Sequence, residues 1–362
     1  MNVLRVHAPV IRFLMSSALL LPLLSACAAS PAAPDGRDSQ SGVLADIRGE
    51  ARIRRTGWTS EAPALPGAEF GKGDLLYLEP DGKAALVCPS LDLALLEDPI
   101  NPYGCRTAAA PALAYAAGLA IPTRSDAGAG YPVSLAPRGA KLLNPRPTLR
   151  WSEVPGATAY RVEVRGTSWS TLVTGVTELV YPADAPPLEP GKTYRLVVEA
   201  GGRSSDEEPG AGLGFSLLDS DEARQVYAGQ QEIRSWQLSD QATRLLVARL
   251  FAAHGLLAEA QDMIWPIRST LPAAGRLLGD LYLDTGLSRH AEEAYLEALS
   301  AAEAAGDLEG QALSLAALGS VYLRLGNREQ AAARFDAAAR LYEALGDDDR
   351  AIELRGRIAE RP

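Results

Sequence analysis

Residues 278–302 read LGDLYLDTGLSRHAEEAYLEALSAA, and the spacing within this stretch decides the C-terminal fold. Leu278-Gly279-x-x-Tyr282-x-x-x-Gly286 recurs as Val247-Ala248-x-x-Phe251-x-x-x-Gly255 and as Leu318-Gly319-x-x-Tyr322-x-x-x-Gly326. A second set follows each at a fixed offset: Ala291, Tyr295 and Ala298; Ala260, Ile264 and Ile267; Ala331, Phe335 and Ala338. Apolar residues three and four apart make one face of a helix, and a glycine between two such faces makes the turn. A generic bundle supplies Leu and Ala at helical spacing, but it does not hold three glycines in register with three alanines. Self-similarity of this kind predicts stacked helical hairpins.

The motif resembles the tetratricopeptide repeat, in which a small residue sits where two helices cross closely, an aromatic fills the gap and Gly makes the turn. From Ala248 to Gly279 the step is 31 residues and from Gly279 to Gly319 it is 40, against 34 in the family. The longer step predicts an extended second helix through AEAAGDLEG, and only the first repeat keeps a closing proline, Pro272. The resemblance implies an α-solenoid over 223–362: three repeats, then a charged capping helix from Arg350 to Glu360. It also implies an inner groove that binds protein. First-helix residues expected to face that groove are Arg249, Arg276, Asp280, Asp284, Ser320 and Arg324, a mixed-charge set.

Upstream the texture changes to β. Between Tyr131 and Asp219, Tyr160, Val162 and Val164 alternate with Arg161, Glu163 and Arg165, which puts the apolar set and Trp151 in a core. The run Leu188-Glu-Pro190-Gly191-Lys-Thr-Tyr194-Arg-Leu196 resembles the corner of the fibronectin type III family. That likeness implies an immunoglobulin-like β-sandwich over 131–219, with the Tyr194 hydroxyl bonded to backbone just upstream. From Gly42 onward Val43, Ala45 and Ile47, then Ala51 and Ile53, alternate with polar residues, and Asp81-Gly82 between strand-like runs predicts a hairpin. A G-x-hydrophobic opening, Gly73-Asp74 before a strand and the Asp-Gly turn together resemble the FecR-type periplasmic domain, implying an all-β domain over 42–107. Residues 108–130, rich in Ala, Gly and Pro, read as a linker.

The first 26 residues carry Arg5 and Arg12, no acid, and an apolar run from Phe13 to Leu24. This is an export signal, too short to span a bilayer. Leu24-Ser25-Ala26-Cys27 resembles the bacterial lipobox, which implies diacylglyceryl transfer to the Cys27 sulfur and cleavage before it. Residues 27–41 then read as a flexible tether. Ala28 and Ala29 follow the cysteine without an Asp, which implies sorting to the periplasmic face of the outer membrane. Lipid chains, not a spanning helix, are the expected hold on the membrane. Cys88 and Cys105 are the only other cysteines and are expected to form a disulfide in an oxidising compartment.

The chain has 362 residues, 47% hydrophobic and 22% charged, the balance of a folded multidomain protein. Net charge is −10, and loss of the signal with its two arginines makes it −12, so nucleic acid is not an expected partner. Nucleophile-elbow, zincin, Walker and S-x-x-K motifs are missing from the sequence. Gly210-Ala-Gly212-Leu-Gly214 has neither the spacing nor the following helix of a nucleotide loop, and Asp347-Asp-Asp349 reads as a helix cap. His254 and His290 fall in inter-helix turns. No catalytic residue, cofactor or metal is expected. The sequence points to a non-enzymatic cell-envelope lipoprotein that binds another envelope protein or peptide through its helical groove. Two alternatives are a cell-wall glycan binder whose helices only oligomerise, and a FecR-type regulatory component.

Overall fold

The structure, a computed structural model, describes residues 41–106, 112–113, 115, 130–208 and 212–359. The signal expected over 1–26, the tether with Cys27 apart from residue 41, and all but a few positions of the linker over 108–130 lie outside the described residues.

Eight strands come first: β1 (Gly42–Arg48), β2 (Ala51–Arg54), β3 (Ala62–Pro63), β4 (Glu69–Phe70), β5 (Leu75–Leu78), β6 (Lys83–Val87), β7 (Leu93–Leu96) and β8 (Ile100–Pro102). They form two four-stranded antiparallel sheets, in the orders β4-β1-β6-β7 and β3-β2-β5-β8. The Asp81-Gly82 turn does not close the hairpin expected of it. It is a tight turn, with the Gly82 amide donating to the Glu79 carbonyl at 2.8 Å, but β5 and β6 lie in different sheets. The reason is a corner. The β1–β2 and β5–β6 connections bend together, Glu79 N–H donating to the Glu50 carbonyl at 3.3 Å, and a Cβ on Gly49 would stand 3.3 Å from the Gly82 Cα. One two-stranded ribbon is thus folded across both sheets, with glycine where the backbones meet. Leu44, Ile53, Phe70, Leu76 and Leu86 fill the space between the sheets.

A second group of strands comprises β9 (Ser134–Ala136), β10 (Ala140–Leu142), β11 (Thr148–Trp151), β12 (Ala159–Arg165), β13 (Ser170–Thr174), β14 (Glu178–Val180), β15 (Thr193–Ala200), β16 (Arg203–Ser204) and β17 (Phe215–Leu217). One sheet runs β10-β17-β15-β12-β13 with β16 on β15, and the other runs β14-β11-β9. All pairings here are antiparallel except β10 with β17. Tyr160, Val162 and Val164 are buried with Trp151, while Arg161 and Arg165 are exposed, as period-two alternation requires. The Tyr194 hydroxyl accepts the Glu189 amide at 2.8 Å, tying the turn before β15 to the strand.

Eight helices complete the chain: α1 (Ser220–Ser235), α2 (Asp240–Ala253), α3 (Leu257–Ile264), α4 (Pro272–Asp284), α5 (Ser288–Ala304), α6 (Leu308–Arg324), α7 (Arg328–Leu345) and α8 (Asp348–Ala359). Each packs on the next, and α4 also reaches α6. Gly255, Gly286 and Gly326 make the α2–α3, α4–α5 and α6–α7 turns with φ of 75°, 77° and 79°, where a side chain would strain the backbone. The small residues in the first helices do allow close crossings. A Cβ on Gly279 would come within 2.6 Å of the Tyr295 ring, and one on Gly319 within 2.8 Å of Phe335.

Two details differ from the sequence reading. The long second step does not extend α5 through AEAAGDLEG: α5 stops at Ala304, Gly306 turns the chain, and the Asp307 carboxylate accepts the Gly310 amide at 2.8 Å to start α6. A break with a capping aspartate splits the extra length between two 17-residue helices. Ahead of the first repeat there is also a whole helix, α1, capped by Asp219.

The described residues fall in one compact unit, and side chains of the two β groups pack into the same clusters as those of the helices. Strand β1 is buried on both faces: Leu44 points between the sheets, whereas Val43 and Ala45 join Val87 in the cluster built by Leu245, Leu246 and Ala248 of α2. The second β group meets α3, where the Lys141 amide donates to the Gly255 carbonyl at 2.9 Å and the Leu143 amide to Glu259 at 2.8 Å.

Candidate functional site

The face of α2, α4 and α6 expected to be a groove lies against the first β group. A Cβ on Gly67 would touch Leu245 of α2 and Ala273 of α4, and Pro63, Leu65 and Pro66 line a narrow crevice with Pro272, Arg276, Glu309 and Leu313. Three polar contacts mark the line. Arg249 Nη2 pairs with Glu69 at 3.2 Å. Arg55, which also pairs with Asp74 at 2.8 Å, reaches Glu309 in the first turn of α6 with Nε at 3.1 Å and Nη2 at 2.8 Å. The Trp58 indole N–H donates to Asp347 at 2.9 Å, at the turn into α8. Both Arg55 and Glu309 keep about a tenth of their side-chain exposure, so this bidentate pair works at low effective dielectric.

The six residues expected to line a groove take different positions. Arg249 is held by Glu69, and its Nε, like Arg276 Nη1, is buried with no hydrogen-bond partner among the described residues. Asp280 accepts the Tyr295 hydroxyl at 2.5 Å, and Asp284 accepts the hydroxyl of Tyr115. Burial, reinforced by those neighbouring carboxylates, pushes both tyrosines well above the usual phenol range, so each stays a donor. Ser320 turns its hydroxyl back to the Ala316 carbonyl at 3.2 Å, and Arg324, the last residue of α6, is exposed. Arg249 and Arg276 therefore lie against the first β group, Asp280 and Asp284 are tied to Tyr295 of α5 and to Tyr115, and Arg324 faces solvent.

The second β group is fastened separately. Arg138 and Glu208, almost without solvent exposure, form an ion pair, and Arg138 Nε donates to the Thr285 carbonyl at the end of α4 at 2.6 Å. Arg150 pairs with Asp262 of α3 at 2.6 Å. Nearby Glu259 accepts two backbone amides, yet burial outweighs them and holds its carboxyl above the usual range.

Cys88 and Cys105 are joined, with Cα atoms 5.5 Å apart. The bond runs from the end of β6 in one sheet to the residues after β8 in the other, closing a loop that contributes an edge strand to each. His254 ends α2, and burial depresses its pKa; His290 lies in the first turn of α5 rather than in a turn between helices, beside the Tyr282 ring at 5.4 Å. Among the described residues no group of His, Cys, Asp and Glu could hold a metal ion, and no helix is long and apolar enough to cross a membrane.

Sequence reasoning did not single out Arg55, Trp58, Glu69, Tyr115, Glu309 or Asp347 as a set. One local signal existed: Trp58 stands in the polar run Thr-Gly-Trp-Thr-Ser, where a large apolar ring needs a partner from elsewhere. A scan of protein-family models finds no match to the chain, and a search of curated proteins finds none either.

Proposed function

We propose that this chain is a lipid-anchored, non-enzymatic protein of the bacterial cell envelope, built from a FecR-like β domain, a fibronectin-like sandwich and tetratricopeptide hairpins. Its work is to hold another envelope protein or peptide. The Tyr194–Glu189 hydrogen bond supports the sandwich reading, and the close crossings at Gly279 and Gly319 support the repeat reading. The disulfide fits export to an oxidising compartment.

The observation that carries the binding role is the use already made of the helical face. It receives polypeptide through ion pairs at α2 and α6, small-residue packing at α2 and α4, and an indole hydrogen bond at the turn into α8, the means by which protein ligands are held. The test is site-specific photocrosslinking in cells, with the crosslinker at exposed Arg324 and at covered Arg249. An envelope protein captured at Arg324, and lost on Arg324→Glu, supports the scaffold. Absence of protein adducts together with co-sedimentation of the purified chain with isolated cell wall would replace it with glycan binding.

A further inference from the structure

The turn Gly306-Asp307 at the start of α6 recurs 40 residues later as Gly346-Asp347 at the start of α8. Both glycines take positive φ, 66° and 82°. The Asp307 amide donates to the Ala302 carbonyl at 2.9 Å, and the Asp347 amide to the Tyr342 carbonyl at 2.8 Å. Each aspartate then accepts an amide three residues on, that of Gly310 at 2.8 Å and that of Arg350 at 3.0 Å. Helix α8 thus enters the array as α6 does, as the first helix of a hairpin.

In α6 the side that meets its second helix is closed. Ala312 and Leu315 share a cluster with Phe335, Ala338 and Tyr342 of α7, and Ala316 packs on that cluster. At the same steps in α8 stand Ile352, Arg355 and Gly356. Ile352 is 67% exposed, Arg355 is exposed, and a Cβ on Gly356 would meet no atom within 4 Å. The other side of α8 is closed, with Ala351 and Leu354 joining Tyr342 and Leu345. Among the described residues no second helix covers the open side, and Ile352 interrupts the polar surface that a terminal helix needs.

The charges of α8 select what covers it. Asp348 and Asp349 open the helix, and Arg355 and Arg357 stand toward its end. Two copies laid antiparallel set the acidic start of each beside the basic end of the other, with their dipoles opposed; laid parallel, like charge meets like. Antiparallel is also the direction in which a second helix runs in such a hairpin. Arg355 keeps pairs with Glu343 at 2.5 Å and Asp336 at 3.6 Å, but these are surface pairs, weak enough to share.

We propose that this face joins two copies of the chain: α8 of a second copy lies antiparallel in the place that α7 takes on α6, and Ile352 packs over the partner's Gly356. A two-fold axis makes each contact twice, and glycine lets the two backbones approach. The inference rests on the repeat geometry and not on the helical face beside the first β group.

Residues 27–362 with Cys27→Ser, purified without lipid, should sediment as a concentration-dependent dimer. Ile352→Gln and, separately, Gly356→Gln place a polar side chain where the single chain has open space, and Gln is a better helix former than Gly. Helical circular dichroism should therefore hold while the dimer dissociation constant rises on the order of 10-fold or more, the effect of taking one apolar side chain out of a contact. Raising ionic strength from low to physiological should weaken the dimer as well. A monomer at every concentration up to the solubility limit would overturn the proposal, and so would a dimer that neither substitution weakens. Loss of the helical signal in both variants would overturn it too, since the face would then be covered within one chain. A dimer that tightens with added salt would refute the antiparallel pairing.

Discussion

At Gly279 and Gly319 the protein has no room for even a methyl group, because the Tyr295 and Phe335 rings fill the space a Cβ would take. Gly279→Leu and Gly319→Leu should each lower stability by about 1 to 3 kcal/mol or more through overpacking, read as a lower midpoint in urea. Arg138 makes a different case. Arg138→Ala strands Glu208 in the interior and should cost about 3 to 5 kcal/mol, whereas Arg138→Met with Glu208→Leu should recover part of it. Equal losses in the single and double variants would show that the Thr285 and Ser134 carbonyls, not the ion pair, are what Arg138 serves. Glu259 adds a pH dependence. Its folded pKa lies above its unfolded one because burial disfavours the charge, so its contribution is complete at acid pH and is lost as pH rises through the folded value. Glu259→Gln keeps an acceptor for the Leu143 amide and removes that loss. The melting temperature of the variant relative to the parent should therefore climb as pH rises above the ordinary carboxyl range, and a pH-independent difference refutes the assignment.

Among the elements, those with a local period were legible. The alternation in β12, the glycine-to-alanine register of α4–α5 and α6–α7, and the tyrosine at the start of β15 each put their signal within a few residues. Asp81-Gly82 was legible as a turn, but pairing was not, since whether two strands join or part at a turn depends on the Gly49 connection packed beside it. The break between α5 and α6 was masked by the alanines around Gly306, which read as continuous helix until Asp307 is seen to cap the next one. The disulfide works at this scale also. By tying the end of β6 in one sheet to the chain after β8 in the other it closes a loop for which the chain-entropy model gives about 3 kcal/mol. Reduction, or Cys88→Ser with Cys105→Ser, should lower the melting temperature, while two reactive thiols in the native protein would refute the bond.

Over the whole molecule the candidate groove was legible as a helix face and illegible as a covered one. Arg55 and Glu309 are 254 residues apart, and Trp58 and Asp347 are 289 apart; such pairs leave no trace in any window of sequence. The proposed lipid anchor belongs to this scale too. Cys27→Ser should abolish labelling by a clickable palmitate analogue, and equal label on the variant would remove the anchor. The burial of β1 on both faces carries a last consequence, for biogenesis. The strand emerges near the beginning of synthesis, whereas the helix that covers Val43 and Ala45 follows about two hundred residues later, a long-range closure of the slow kind. Until α2 arrives, the early sheet offers an apolar flank to anything nearby. If the chain crosses a membrane start-first, as proposed, it needs a holdase on the far side until its last third has crossed, and fragments ending before α2 should precipitate where the full chain does not.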